Sequence, residues 1–309
     1  MNIQPLELHQ SSLDDISCPR KFYYKHRLGL THATTPDYFA IGEMYHAALA
    51  LWSTPTNSHI KPDIRIHCIQ WRIQREFTHF DSEWIMKTFY LMNKSIKHDL
   101  QYPLTVQSVE ETLTAPTPYP HIIMGGTIDG YIRDEYNKLW ILERKTESSP
   151  DSRSIRRYRN SIQIIVYYYL MLQNLDHLHL TDIKDMGGTM YEICPKAKNK
   201  EMMRFDAIVS PVQFQRGMTY LRDMWDDLDE RMRNENWPRY LHACYGKFLT
   251  ECALMSYCYL DDDLTGRHCT HLIPGAFQII PPHEQLAQRG QSPEWYTITP
   301  EEIQRGENQ

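Results

Sequence analysis

The stretch GGTIDGYIRDEYNKLWILERKT, residues 125–146, decides how this chain folds. Its apolar and β-branched residues are interrupted by DEYNK, residues 134–138, which is typical of a turn, so the sequence predicts a β-hairpin. Side chains alternate between the two faces of a strand, and Glu143 and Lys145 therefore share a face with two aliphatic residues of their strand. Charged groups on such a face are costly to bury unless they pair or coordinate a metal.

A second carboxylate in the same stretch completes a candidate metal site. Asp129 precedes Glu143 by 14 residues, a separation that a hairpin brings side by side. Carboxylate oxygens are the ligands that Mg²⁺ and Mn²⁺ prefer, so Asp129 and Glu143 are a candidate metal-binding pair. The alternative is a solvated hairpin with one Glu–Lys pair, which is a common surface feature.

The rest of the chain predicts one mixed α/β body. Helical spacing and capping residues predict a short helix in 11–29, three helices across 36–101 with a loop near 54–62, and helices at 159–173 and 211–234. Strand patterns lie at 104–114, 121–133, 139–146, 186–193 and 201–208. We expect a single domain over 1–260, with a helical insertion at about 54–101. The tail, 261–309, is rich in Pro, Gln and charge, which predicts extended or poorly ordered chain.

Composition narrows the class of protein. The formal net charge of the 309 residues is −6, which excludes a polybasic protein that attracts nucleic acid over its whole surface. The N-terminal stretch has no basic segment followed by an apolar core, so no secretory signal is visible. The longest apolar run, residues 164–172, is far too short to span a membrane. We therefore expect a soluble, cytoplasmic protein with no membrane partner.

Two further motifs flank the hairpin. GEMYH, residues 42–46, precedes it, and QIIVY, residues 163–167, follows it with its Gln and Tyr on one helical face. Together with the D-x13-E-x-K spacing of the hairpin, this order resembles the RecB-type branch of the PD-(D/E)XK nuclease superfamily. One departure is Ile128, where the superfamily name places a proline that RecB-type members commonly lack.

The resemblance implies a restriction-endonuclease-like α/β core, a mixed central sheet flanked by helices, with a helical N-terminal part and a C-terminal cysteine cluster. It also implies that Mn²⁺ or Mg²⁺ is held by His46, Asp129, Glu143 and the backbone carbonyl of Arg144. Nitrogen ligation by His46 favours Mn²⁺. Lys145 would orient or help deprotonate the attacking water, or stabilise the transition state.

Two polar groups of residues near the hairpin have open interpretations. By resemblance, Gln163 and Tyr167 face the active site and contact the DNA backbone or the catalytic lysine, whereas their sequence alone is equally typical of hydrogen-bonded groups on a buried helix. The densest basic run of the chain comes just before them, and consists of Arg153, Arg156, Arg157 and Arg159. Such a run is commonly a solvated face, but beside a phosphodiester site it is a candidate DNA-binding track.

Three of the seven cysteines predict a second metal centre. Cys244, Cys252 and Cys258 lie within fifteen residues, and thiolates this close in a reducing compartment favour a metal site that needs a fourth ligand. Candidates for that ligand are His242, Cys269 and the distant Cys18, with the run HCTH at 268–271 as a further cluster. Zinc held by local ligands is one interpretation.

The resemblance favours iron over zinc. Some RecB-type nucleases hold a [4Fe–4S] cluster with one cysteine ahead of the nuclease core and three behind it, and CPRKFYY, residues 18–24, resembles the leading element. The implied ligands are Cys18, Cys244, Cys252 and Cys258. The cluster would then clasp the N-terminal segment to the C-terminal one, with Cys68 and Cys194 as buried bystanders and Cys269 as an unbound thiol.

These features predict a DNA exonuclease or endonuclease, a phosphodiester hydrolase that acts on single-stranded DNA or DNA ends. No G-x-x-x-x-G-K-[ST] phosphate loop occurs in the sequence, so this chain has no helicase motor of its own. It is either a stand-alone nuclease or the nuclease subunit of a larger machine, with a helicase or a recombination or integration complex as partner. DNA recombination, repair, spacer acquisition and phage DNA processing all fit. The rival hypothesis is a non-catalytic DNA-binding or assembly protein that retains the fold, with zinc in place of the iron–sulfur cluster.

Overall fold

The computed structural model describes residues 5–32, 37–238, 240, 252, 254, 277–279 and 293–308. The chain divides into two compact units, which we describe separately. The first unit comprises Met1–Thr35, Thr114–Gly126 and Pro211–Arg289, and the second comprises Pro36–Leu113, Thr127–Ser210 and Gly290–Gln309. No helix among the described residues is long and apolar enough to cross a membrane.

The five predicted strands occur in the predicted order. The strands are β1 (Leu6–His9), β2 (Leu30–His32), β3 (Val106–Pro116), β4 (Ile122–Arg133), β5 (Leu139–Glu147), β6 (Met186–Pro195), β7 (Met203–Ala207) and β8 (Phe277–Ile279). The predicted strands are β3 to β7, whereas β1, β2 and β8 were not predicted. The helices are α1 (Gln10–Leu13), α2 (Pro19–Phe22), α3 (Asp37–Ser53), α4 (Pro62–Glu76), α5 (Ser82–Gln101), α6 (Ser152–Arg159), α7 (Ile162–Gln173), α8 (Pro211–Asn234) and α9 (Pro300–Glu307).

A mixed sheet forms the centre of the second unit. β5 is antiparallel to residues 130–133 of β4 and parallel to β6, which is antiparallel to β7, and β3 pairs with β4. The predicted turn is held by Asp134, whose Oδ1 accepts hydrogen bonds from the backbone N–H groups of Tyr136 and Lys138, each at 2.9 Å. An aspartate in this position closes the turn on itself, which confirms the predicted hairpin.

Helices cover the sheet of the second unit. The three predicted helices, α3, α4 and α5, share one apolar core, in which Met44, Tyr45 and Ile69 are fully buried. The helix predicted at 159–173 is α7, which starts at Ile162 because Ser161 is extended and caps it with its hydroxyl, and the preceding helix α6 was not predicted. The restriction-endonuclease-like arrangement expected from the sequence, a mixed sheet flanked by helices, is present.

The first unit contains the N-terminal segment and α8. β1 runs parallel to residues 122–125 of β4, and β2 is antiparallel to β8. The helix predicted within 11–29 is broken, since Cys18 is extended (φ −130°, ψ 103°) and Pro19 begins α2. A residue before proline disfavours helical geometry, which explains the break. The long helix predicted to start at Pro211 is α8.

The prediction of extended or poorly ordered chain over 261–309 is wrong for residues 293–308. α9 packs on α4 in the second unit, and Tyr296 and Ile298 are buried in its core. The Thr299 hydroxyl and the Glu302 carboxylate form a reciprocal capping box at the start of α9. The charged composition of the tail concealed this local signal. Residues 261–276 and 280–292 lie outside the described residues.

A buried ion pair fastens α9 to α4, and its removal tests this packing. The Arg72 Nε donates to Glu302 Oε1 at 2.7 Å, and both residues are at most 5% exposed. Glu302→Ala should lower the free energy of unfolding by about 3–5 kcal/mol, because it leaves the Arg72 guanidinium buried without a carboxylate. Urea unfolding measures this, with the exposed Glu301→Ala as the matched control. Equal unfolding midpoints for the two variants would contradict the packing of α9.

Candidate active site and metal centre

The hairpin brings its two predicted carboxylates together in the second unit. Gly130 is paired with Leu142 across β4 and β5, which leaves Asp129 next to Glu143. The Asp129 Oδ2 accepts a hydrogen bond of 2.6 Å from the backbone N–H of Arg144. Asp129 is thereby tied to the strand that carries Glu143, whose side chain is 1% exposed.

His46 reaches this pair from α3. Its Nδ1 lies 3.1 Å from Asp129 Oδ1. Burial favours the neutral imidazole, but the contact with Asp129 dominates and raises the pKa of His46. Burial likewise opposes the charge of Asp129, and His46 and Lys145 outweigh it, so the pKa of Asp129 is lowered.

Glu110 of β3 also lies at the site, although it was not predicted from the sequence. Ligand atoms of His46, Glu110 and Asp129 all lie within 4.8 Å of one another, a spacing that fits one metal ion. Glu110 has φ 49°, a left-handed conformation that is unusual outside glycine. Burial, together with the charge of Asp129, raises the pKa of Glu110 to about 8. The closeness of Glu110 to Asp129 depends on the pairing of β3 with β4, and no motif in the sequence signals it.

Gln163 and Tyr167 hold the Glu143 carboxylate. The Gln163 Nε2 donates to Glu143 Oε1 at 2.8 Å and to the Tyr167 hydroxyl oxygen at 2.8 Å. The Tyr167 hydroxyl donates to Glu143 Oε2 at 2.9 Å. The i, i+4 spacing on α7 places both side chains on one face, as the sequence predicted, and both carboxylate oxygens are engaged from that face. Their protein partner is therefore Glu143.

Lys145 forms an ion pair with the same carboxylate through Glu143 Oε1, and its side chain is 31% exposed. Burial lowers the pKa of Lys145, but the charges of Glu143 and Asp129 outweigh burial and raise it. Conversely, burial raises the pKa of Glu143 against the opposing effect of Lys145. The ammonium group is thus held charged, facing the carboxylates and partly open to solvent.

Arg144, between Glu143 and Lys145, points to the opposite face of β5. Its Nε donates to Glu192 Oε2 at 3.0 Å and its Nη2 to Asp99 Oδ2 at 3.4 Å. Arg204 pairs with the same two carboxylates. His98, Asp99 and Glu192 are close enough to hold a metal ion. Since two guanidiniums already neutralise both carboxylates, this cluster works as a charge-balanced core that fixes the backbone of β5.

The predicted arginine run lies in α6, which Asp151 caps. Ion pairs involve three of the four side chains: Arg153 with Asp151, Arg157 with Glu147, and Arg159 with Asp206. These side chains are 83%, 52% and 48% exposed. The run is therefore a solvent-facing surface in the same unit as Lys145, and binding of DNA to it stays a prediction.

Of the four cysteines predicted to bind iron, Cys18 and Cys252 are among the described residues. Cys244, Cys258 and Cys269, with the alternative ligands His242, His268 and His271, lie outside the described residues. In the first unit, Cys18 is buried and Cys252 packs against a small core of Tyr24, Leu30 and Leu254. Burial lowers the pKa of Lys21. The neighbouring Asp15 outweighs burial and raises this pKa, and Cys252 and Cys18 add weaker effects of the same sign. Both thiols therefore lie within electrostatic range of one ammonium group.

Cys68 and Cys194 are buried in the second unit, as predicted for bystanders. The Cys68 Sγ donates to the backbone carbonyl of Glu302 at 3.1 Å, and the Cys194 Sγ donates to that of Leu91 at 3.7 Å. Both thiols thus have local protein partners. Burial raises the pKa of each thiol, which keeps both in the neutral form.

Comparison with known proteins agrees with this geometry. The family model described as the PD-(D/E)XK nuclease superfamily matches residues 13–259. A crystal structure from Eubacterium rectale of a provisionally assigned exonuclease is similar in fold, with a TM-score of 0.52 and 11% identity over 87% of this chain and 93% of that chain. A structure described as SSO0001 aligns with a TM-score of only 0.30 and 13% identity, over 67% of this chain and 90% of that chain. No curated protein is detectably similar. The chain belongs to the PD-(D/E)XK nuclease superfamily.

Proposed function

We propose that this protein is a metal-dependent DNA nuclease of the RecB-type branch. The observation that carries the proposal is the meeting of Asp129, Glu143 and Lys145 on one face of the hairpin, with His46 Nδ1 at 3.1 Å from Asp129. A fold alone does not imply an activity, but this cluster has the groups that phosphodiester hydrolysis needs. Nucleases of this superfamily use divalent metals such as Mg²⁺ or Mn²⁺.

The donor atoms fit such metals. Three ligand atoms, from His46, Glu110 and Asp129, lie within 4.8 Å of one another, and carboxylate oxygen with one imidazole nitrogen suits Mg²⁺ or Mn²⁺. We assign His46, Asp129, Glu143 and the backbone carbonyl of Arg144 as metal ligands, with Glu110 as a further carboxylate ligand beside His46 and Asp129. When bound, the ions make a water nucleophilic and neutralise charge on the phosphate oxygens.

The protein groups around the metal ligands have separate tasks. Lys145 is held as an ammonium by Glu143 and Asp129, so it acts as a hydrogen-bond donor that orients the attacking water or stabilises the charged transition state. Gln163 and Tyr167 fix the orientation of the Glu143 carboxylate through both of its oxygens. Metal binding would be accompanied by deprotonation of Glu110 and His46, because a carboxyl group coordinates a metal as the carboxylate and a histidine does so as the neutral imidazole.

The substrate we propose is single-stranded DNA or a DNA end, cleaved as an exonuclease by two-metal-type hydrolysis. The exposed arginines of α6 lie in the same unit as Lys145 and provide positive groups for the phosphate backbone. Recombination, repair, spacer acquisition or phage DNA processing would supply such substrates, with a helicase or a recombination or integration complex as partner.

We further propose that Cys18, Cys244, Cys252 and Cys258 hold a structural [4Fe–4S] cluster. The support from the described chain is that Cys18 and Cys252 both lie in the first unit, where Cys18 is buried and Cys252 packs against the small core of Tyr24, Leu30 and Leu254. A cluster that joins residues so distant in sequence would stabilise the unit by closing a long loop.

A second candidate function is a non-catalytic DNA-binding or assembly protein with zinc at the cysteines. The retention of His46, Asp129, Glu143 and Lys145 as one contiguous charged cluster argues against it. Placing the Asp129 and Glu143 carboxylates side by side in a largely buried position is costly, and DNA binding without catalysis does not require it.

Cleavage of labelled single-stranded DNA with Mn²⁺ or Mg²⁺ tests the nuclease. Lys145→Ala should lower the cleavage rate at least about 100-fold, because it removes a charged donor at the reacting phosphate. Lys138→Ala, an exposed lysine of the hairpin turn, is the matched control and should cleave like the wild type. Absence of cleavage by the wild type, or equal rates for the two variants, would overturn the proposal.

The support that Tyr167 gives to Glu143 predicts a change in metal requirement. Tyr167→Phe removes the hydroxyl that donates to Glu143 Oε2, and should raise the Mn²⁺ concentration needed for half-maximal cleavage about 10- to 100-fold. Tyr168→Phe removes a neighbouring hydroxyl that hydrogen-bonds to the backbone of Val209, and should leave the requirement unchanged. An unaltered Mn²⁺ dependence in Tyr167→Phe contradicts this role.

The cluster proposal predicts a coloured protein. Anaerobically purified full-length chain should be brown and contain about four iron atoms per chain. Cys18→Ser should lose the iron and unfold at a lower temperature, whereas Cys68→Ser should keep the iron because its thiol already bonds to a backbone carbonyl. A colourless wild type with stoichiometric zinc would show that the cysteines serve the alternative site.

A further inference from the structure

An aromatic row continues the line of the metal ligands across the sheet. Glu143 of β5 is in register with Tyr191 of β6, and Tyr191 is in register with Phe205 of β7. Register partners on neighbouring strands point to the same face of a sheet. The face that carries Glu143 therefore continues into two aromatic rings, and Phe205 lies two strands, about 10 Å, from the carboxylate.

Tyr158 of α6 closes over these two rings. Its ring centroid lies 5.1 Å from that of Tyr191 and 6.5 Å from that of Phe205, and the rings of Tyr191 and Phe205 stack at 5.4 Å with an angle of 18°. Tyr191 is fully buried, whereas Tyr158 and Phe205 are partly exposed. We call Tyr158, Tyr191 and Phe205 the aromatic platform.

Burial of Tyr191, the inner ring of the platform, costs free energy. Tyr191 is completely buried, and its hydroxyl has no hydrogen-bond partner among the residues that the structure describes. A phenylalanine would fill this position without that penalty, and a buried polar group of this kind calls for a functional explanation. Tyr191 is in register with Glu143, which connects the platform to the site.

Two guanidiniums border the platform. The Arg157 Cζ lies 4.8 Å from the Tyr158 centroid, and the Arg159 Cζ lies 5.7 Å from the Phe205 centroid. Positive charge therefore lies beside the two partly exposed rings of the platform.

We propose that the two partly exposed rings of the aromatic platform, Tyr158 and Phe205, bind an unpaired nucleobase of single-stranded DNA next to the phosphate that is cleaved, while the buried Tyr191 packs against both and supports them. This inference rests on the proposed nuclease function. Bases stack on aromatic rings and guanidinium planes, and positive groups beside them track the phosphates. A base inside a duplex already stacks on its neighbours, so a platform of this kind selects single strands.

Binding of fluorescent oligothymidylate to the full chain in EDTA, followed by anisotropy, tests the platform. Tyr158→Ala and Phe205→Leu should each raise the dissociation constant about 5- to 150-fold, the range for loss of one stacked base. Tyr158→Phe keeps the ring and should bind nearly as well as the wild type. Tyr136→Ala, which removes a tyrosine that is 77% exposed, is the control and should not change binding. Thermal unfolding confirms that each variant is folded.

An abasic strand of the same length separates stacking from phosphate contacts. The wild type should prefer oligothymidylate over the abasic strand, and Tyr158→Ala should lose at least about 5-fold of that preference. An unchanged preference would overturn the platform, even if the wild type cleaves DNA with Mn²⁺. A preference that depends on Tyr158 in a protein that does not cleave would retain the platform and overturn the nuclease.

Discussion

Antiparallel pairing of β4 with β5 sets Asp129 beside Glu143, and the other groups of the site are placed relative to that pair. The bond from the Arg144 N–H to Asp129 ties the carboxylate to the pairing itself. Arg144 in turn is held through its side chain by Glu192 and Asp99 on the opposite face. The backbone of β5 is thereby fixed from both faces, which gives the ligands the rigid support that metal sites require.

The site gathers three carboxylates, those of Glu110, Asp129 and Glu143, around His46 and Lys145. Burial, together with the charge of Asp129, raises the pKa of Glu110 to about 8. Divalent cations would favour the ionised form of Glu110 and reverse the local field where the phosphate backbone arrives. The net charge of −6 is therefore a poor guide to the partner of this chain, because part of the acidity lies in these carboxylates.

Local patterns predicted the elements that depend on neighbouring residues in the chain. Strand alternation identified the hairpin, and i, i+4 spacing put Gln163 and Tyr167 on one face of α7. Glu110 and the aromatic platform escaped prediction, because each depends on how strands pair and on a left-handed backbone at Glu110. The T-x-x-E pattern of the capping box at Thr299 is present in the sequence, but the overall composition of the tail favoured disordered chain.

Direct binding of Mn²⁺ to the full chain tests the central claim, that the β4–β5 pairing creates a metal site. Calorimetric titration should show at least one Mn²⁺ bound per chain by the wild type. Glu143→Gln keeps the shape of the side chain and removes its charge, and should weaken that binding at least about 10-fold. Equal Mn²⁺ affinity for the wild type and Glu143→Gln would contradict the account.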